Sequence, residues 1–171
     1  MRTLAAILAL LLMSTAAAAV PRLHPGAIEL GVTGSLVSVA GSTSAALALR
    51  GGCFRGAGSG LAGWEAELGY NHLQSLDTVE LEAGVSWQRA MGEGATWPFA
   101  SIGGGLRQER LGSFRTARYP VGFALGVRTL FGERVALRVE YRYRRVLNDP
   151  VADFHEHQAR TGLSLLLHNA E

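Results

Sequence analysis

The 171-residue chain carries 16 basic and 14 acidic residues, and every basic residue is an arginine. Net charge is close to neutral, and no basic cluster alternates with aromatics in the manner of a nucleic-acid groove, so that class of partner is set aside. Cys53 is the one cysteine, which excludes an intrachain disulfide; it is read as a turn residue, too far from the N-terminus to be a lipoprotein's acylated cysteine.

In chain order, Met1-Arg2 leads an apolar run from Leu4 to Met13 and a small-residue stretch that ends at Ala19. A basic start, a short apolar core and an Ala-x-Ala end predict a secretory signal peptide over 1–19. The run falls short of the roughly 20 apolar residues of a membrane-spanning helix. Residues 20–171 then suit one domain.

Eight segments of strand length follow, separated by glycine, serine, asparagine or charged residues, with no amphipathic helix between them. They are Ala27–Val39, Ser44–Gly52, Ala62–Asn71, Thr78–Gln88, Trp97–Arg107, Tyr119–Leu130, Val135–Arg144 and His157–His168. The fourth shows the pattern best. Val79, Leu81, Ala83, Val85 and Trp87 alternate with Thr78, Glu80, Glu82, Gly84, Ser86 and Gln88, one set on each face of a strand.

Across the segments the polar face is rich in glycine, alanine and serine, with charges set among them. Small residues suit a curved, crowded inner wall. A soluble barrel with its large apolar side chains inside would leave that belt of small residues outside, which solubility does not require. The opposite arrangement faces apolar side chains to lipid and pairs every backbone group by closure. The pattern therefore predicts an all-β fold: an eight-stranded antiparallel up-and-down transmembrane β-barrel.

With both termini periplasmic, Trp87, Trp97 and Phe131 fall at periplasmic strand ends and Tyr70, Tyr119, Tyr141 and Tyr143 at external ends, as interfacial girdles. Trp64 falls below the girdle. Glu29, Glu65, Glu67, Glu80, Glu82 and Glu140 are predicted to point inward, as are Arg50, Arg107, Arg128, Arg138, Arg142, Arg144 and Arg160. A hairpin around Gln74 sets Glu67 opposite Glu82, a like-charge pair that needs intervening cations. Arginine forks suit two carboxylates at once. Eight strands leave room for side chains only, so an ion-paired plug is expected in place of an open pore.

His155, Glu156 and His157 form a dense titratable cluster, read as a solvated external loop, because two histidines are too few ligands for a metal site. Ser164 has no base nearby in sequence. Gly103–Gly105 lies inside a strand with no helix after it, so it is a packing feature and not a phosphate loop. No cofactor and no metal is expected.

At this point the chain resembles the small eight-stranded outer-membrane barrels of Gram-negative bacteria, the OmpX/OmpA-like class. The last strand, with Arg160, Gly162, Leu165 and Leu167, looks like the carboxy-terminal assembly signal of such barrels. That resemblance implies outer-membrane lipid, lipopolysaccharide and the insertion machinery as partners. The family commonly ends on an aromatic; here Leu167 takes that place and His168 to Glu171 trail it. A weaker resemblance links Glu140 to Asp149 to a strand of outer-membrane lipid A deacylases: Tyr141, Arg142, Tyr143 and Asn148 fit, but Arg145 and Leu147 stand at the catalytic His and Ser positions. The resemblance thus implies a non-enzymatic barrel in envelope integrity, surface interaction or adhesion, with a hydrolase relative that has lost its chemistry, or a narrow passive channel, as alternatives.

Overall fold

The computed structural model describes residues 21–39, 42–73, 76–92, 94–148 and 153–167, so the predicted signal segment and His168 lie outside the described residues. Eight strands follow one another: β1 (Ile28–Val39), β2 (Ser42–Ala57), β3 (Gly60–Leu73), β4 (Leu76–Gln88), β5 (Thr96–Leu111), β6 (Phe114–Phe131), β7 (Val135–Leu147) and β8 (Phe154–Leu167). Each pairs antiparallel with the next, and β1 pairs with β8, which closes the barrel. Closure satisfies the backbone ladder without a free edge. We call the end where β1 starts and β8 finishes the near end, and the opposite one the far end.

Tight connections explain the meander. Gly58 and Gly112 sit at φ +59° and +60° between β2 and β3 and between β5 and β6, a conformation that short hairpin loops demand and glycine supplies freely. Several strands run past the ends that hydrophobic alternation predicts. β5 reaches Leu111 and β6 starts at Phe114, because polar residues continue the ladder where apolar alternation fades. Cys53 consequently lies within β2, paired with Ile28 and Trp64, and not in a turn.

The wall is partitioned in reverse of a soluble protein. Leu30, Leu49, Leu68, Leu81, Ile102, Leu125, Val139 and Leu163 are exposed on the outside, while Glu29, Arg50, Arg128, Arg138, Glu140, Arg144 and Arg160 are buried within. At the near end the interior turns apolar. Phe54, Leu61, Trp97, Leu130, Ala136 and Leu166 pack with Leu23 and Ala27 of the segment that precedes β1.

Glycines on β4 to β6 let the inner wall close on itself. Gly103 is in register with both Gly84 and Gly122, and a Cβ on Gly105 would stand 2.9 Å from Cα of Glu82. A Cβ on Gly126 would meet Cζ of Phe99 at 2.6 Å, whereas Gly34 has open space around it. Gly126→Ala is therefore expected to destabilise the barrel by about 1–3 kcal/mol, the cost of overpacking. Gly34→Ala is the near-neutral comparison, and urea unfolding in lipid vesicles measures both.

Candidate functional site

Strand register brings the inward charges together. Arg50 lies beside Glu67, Glu80 beside Arg107, Glu140 beside Arg160 and Arg144 beside Glu156. Glu67 and Glu82 are direct cross-strand partners, two carboxylates side by side. Arginines from other walls reach them. Arg50 donates to Glu67 at 2.8 Å, Arg160 donates to the other Glu67 oxygen, and Glu82 accepts from Arg142 and Arg144. Four guanidiniums thus surround a carboxylate pair that repels itself when isolated.

On the far side of that pair, Glu156 is gripped by two forks: Arg107 Nη2 at 2.8 Å and Arg144 Nη2 at 2.6 Å. Arg107 Nε also donates to Glu80 at 2.8 Å. On the near side, Arg138 Nη1 donates to Glu65 at 2.7 Å and its Nε to Glu140 at 2.6 Å. Arg128, fully buried, donates to Glu29 at 2.8 Å and to Gln88. Its guanidinium stands 4.7 Å from the Phe54 ring centre, and that of Arg138 stands 4.0 Å from Phe99. Arg128 and Arg138 are register partners of like charge, kept compatible by Glu29, Glu65 and the faces of these rings.

Three inward groups escaped the sequence reading. Glu156 sits in a titratable cluster that suggests a loop, yet β8 starts at Phe154 and Glu156 shares the inward parity of Arg160; tracing the alternation back from Arg160 finds it. Glu109 and Arg118 lie beyond the predicted ends of their strands and pair at 3.0 Å. Among the described residues, strand parity turns eight carboxylates inward (Glu29, Glu65, Glu67, Glu80, Glu82, Glu109, Glu140, Glu156) and eight guanidiniums (Arg50, Arg107, Arg118, Arg128, Arg138, Arg142, Arg144, Arg160). Eight charges of each sign therefore leave the inner wall with no net charge among the described residues.

The girdle aromatics divide. Tyr70, Trp87, Tyr119, Phe131 and Tyr141 are exposed on the outer wall, and Trp64 joins them. Tyr143 is half-buried among its neighbours. Trp97 is a correction: it points inward, buried in the near-end cluster, with its indole N–H donating to Gly94 O. Residues 97 and 107 share parity on one unbroken strand, so an inward Arg107 requires an inward Trp97.

Between the Glu80–Arg107 level and the far strand tips lies a cavity of about 490 Å³, walled by Ser35, Ser44, Asn71, Thr78 and Gln158 among others. Toward the near end Arg128, Phe54, Gln88, Glu29 and Leu166 are fully buried and fill the bore. The lumen is a cup and not a tube.

The outer wall at the far end carries the remaining chemistry. β8 begins at Phe154, three residues before the predicted His157, so His155 as well as His157 lies on the strand, and each shares a bond at Nδ1, with Tyr143 Oη (2.6 Å) and Tyr141 Oη respectively. Arg145 extends outward and pairs with Asp153 at 2.9 Å. Ser164 is buried inside against Gly31, away from these histidines. Among the described residues no group of three or more His, Cys, Asp or Glu is arranged to hold a metal ion.

No protein-family model matches the chain, and no curated protein is significantly similar to it in sequence. Solved structures do match in shape. The N-terminal β-barrel domain of Pseudomonas aeruginosa OprF aligns at TM-score 0.65 and 13% identity, over 84% of this chain and 98% of that one. Neisserial surface protein A aligns at 0.58 and 14%, over 81% and 95%. The outer membrane enzyme PagL aligns at 0.53 and 12%, over 80% and 97%. What this chain shares with them is the closed, eight-stranded fold of the small outer-membrane barrels.

Proposed function

We propose that the chain is an integral outer-membrane barrel of a Gram-negative envelope, exported by a signal peptide over 1–19 and sealed by its own ion pairs. The observation that carries this reading is the inverted wall: leucines and valines outside, a charge-balanced network inside. A lipid-facing surface demands the first, and an interior no wider than its side chains accommodates the second. Outward Leu165 and Leu167, with inward Arg160 and Gly162, are proposed as the signal read by the insertion machinery.

The role that fits is envelope integrity and contact within the membrane. Far-end connections are short: β5 and β6 are joined by residues 112–113, and the longest gap, between β7 and β8, spans 148–153. Contacts with partners then fall to strand tips and the outer wall, which favours membrane neighbours over a loop-built adhesin. A deacylase reading lacks both its base and its nucleophile, because Arg145 and Leu147 stand where the resembling strand would carry them, and Ser164 is buried inside the barrel.

Three measurements test the proposal. Fractionation of expressing cells should place the mature chain in the outer membrane, with a heat-modifiable gel mobility; a soluble monomer recovered without detergent defeats it. Planar-bilayer recording should show no stable single-channel steps, and mass spectrometry of lipid A from the same cells should show no lost acyl chain. Steady unitary currents would replace the plug with a channel.

A further inference from the structure

The start of β8 at Phe154 puts two imidazoles on one face of one strand. His155 and His157 are alternate residues, both exposed on the outer wall toward the far end. Alternate side chains of a strand point the same way from Cα atoms roughly 7 Å apart, near enough for both rings to turn onto one ion. Each ring is tied at Nδ1, His155 to Tyr143 Oη at 2.6 Å and His157 to Tyr141 Oη. Tyr143 also stacks on His155, with ring centres 5.4 Å apart, and meets His157 edge-on at 5.3 Å. A phenolic oxygen that accepts from Nδ1–H fixes the tautomer whose Nε2 is bare and basic, the form in which histidine binds a transition metal.

One barrel supplies two ligands where a closed zinc site takes four. Among the described residues no group of three or more His, Cys, Asp or Glu completes it. A second copy can. Copies inserted by one route lie in the membrane with the same end outward, so two of them meet symmetrically only about an axis along the membrane normal. That axis sets each residue of the wall against itself at the same depth. Arg145, the register partner of His155, is offset by Asp153 at 2.9 Å, so no bare cation opposes the ion, and the exposed pair is self-complementary across the axis. Toward the near end the wall is shallow: exposed Ala159 and Thr161 follow on β8, and Gly34 is the register partner of Thr161. A Cβ on Gly34 would meet nothing within 4 Å. In lipid, where burying apolar surface drives little, small residues let two walls reach van der Waals contact.

We propose that His155 and His157 bind a zinc ion through Nε2, and that a second copy of the chain supplies the other two imidazoles of its shell. The inference rests on the outer-membrane reading above, because a shared membrane is what holds two copies at one height. Imidazole suits zinc and its transition-metal neighbours, whereas magnesium and calcium take oxygen ligands.

Native mass spectrometry of the full barrel in detergent, without an added histidine tag, tests this with zinc, magnesium and a chelator. Zinc should convert monomer to dimer with one ion for each two chains; magnesium should not, and the chelator should reverse the conversion. His155→Ala and His157→Ala should each abolish the zinc-dependent dimer, whereas His24→Ala, before β1 at the near end, keeps it. Tyr143→Phe leaves both ligands but removes the Nδ1 partner of His155, and should raise the zinc concentration at half-dimerisation about tenfold. Each is a single change, and the zinc-to-chain ratio of the unaltered barrel needs no variant at all. One zinc for each chain with no dimer overturns the shared shell. No bound zinc, or an unaltered dimer in both histidine variants, overturns the site. A chain recovered as a soluble monomer instead defeats the outer-membrane reading, and the pairing geometry with it.

Discussion

Arg128→Met should lower the stability of the barrel by about 3–5 kcal/mol, the cost of removing one member of a buried ion pair. Arg128 is fully buried, with Nη2 2.8 Å from Glu29 and 3.4 Å from Glu65, and its guanidinium lies over Phe54. Methionine fills much of the same space but leaves Glu29, itself fully buried, without its cation. Glu65 suffers less, since Arg138 still holds it at 2.7 Å. The double variant Arg128→Met, Glu29→Leu should recover most of the loss, because an apolar pair replaces the ionic one and no orphaned charge remains. Urea unfolding in vesicles reads each value. Wild-type stability in the single variant would mean that water reaches Glu29 and that the bore is open where we describe it as filled. Neither variant should conduct in a planar bilayer, as the aromatic and leucine side chains around them still block the near end.

The alternation of Thr78–Gln88 is enough to place Glu80 and Glu82 inside, and the hairpin position sets Glu67 opposite Glu82. Both follow from period two and local register, which sequence encodes directly. The cations that hold this pair were harder to name. Arg142 and Arg144 come from β7, across the lumen, and which strand faces which through a barrel depends on tilt and stagger, not on neighbours in the chain. Among the inward arginines, Arg142 and Arg144 reach Glu82, whereas Arg107 serves Glu80 and Glu156, and Arg128 serves Glu29.

Trp97 shows the reverse error. A tryptophan at a strand end suggests headgroup depth, whereas the parity it shares with Arg107 requires it to point inward. The near end is capped from within by Leu23 and Ala27, so the rule of apolar outside and polar inside lapses there, and Phe54, Leu61, Leu130 and Leu166 point inward with it. Glu156 was hidden by its neighbours: three titratable residues in a row look like a loop, although alternate members of a strand face opposite ways.

Placing an arginine on the outer wall gives the companion result to the interior substitution. Leu81 and Val139 are 55% and 53% exposed on the outside of β4 and β7; Leu81 is flanked by Leu68 and Leu106, and Val139 by Val127 and the uncharged Thr161. In water such exposure makes a charged substitution nearly harmless, and a soluble barrel would tolerate Leu81→Arg with little change. In a bilayer the same side chain sits in hydrocarbon, and the cost rises to about 2–4 kcal/mol at mid-depth. Neither site offers a carboxylate on the outer face within one residue of register, so the new charge finds no partner to offset the loss. Ser113→Arg, in the connection between β5 and β6, should cost almost nothing, since that residue stands among exposed neighbours at the far end. Unfolding of all three variants in vesicles therefore reports the depth of each position. A loss at Leu81 and Val139 with none at Ser113 places the leucine belt in lipid, and three equal values would put the outer wall in water.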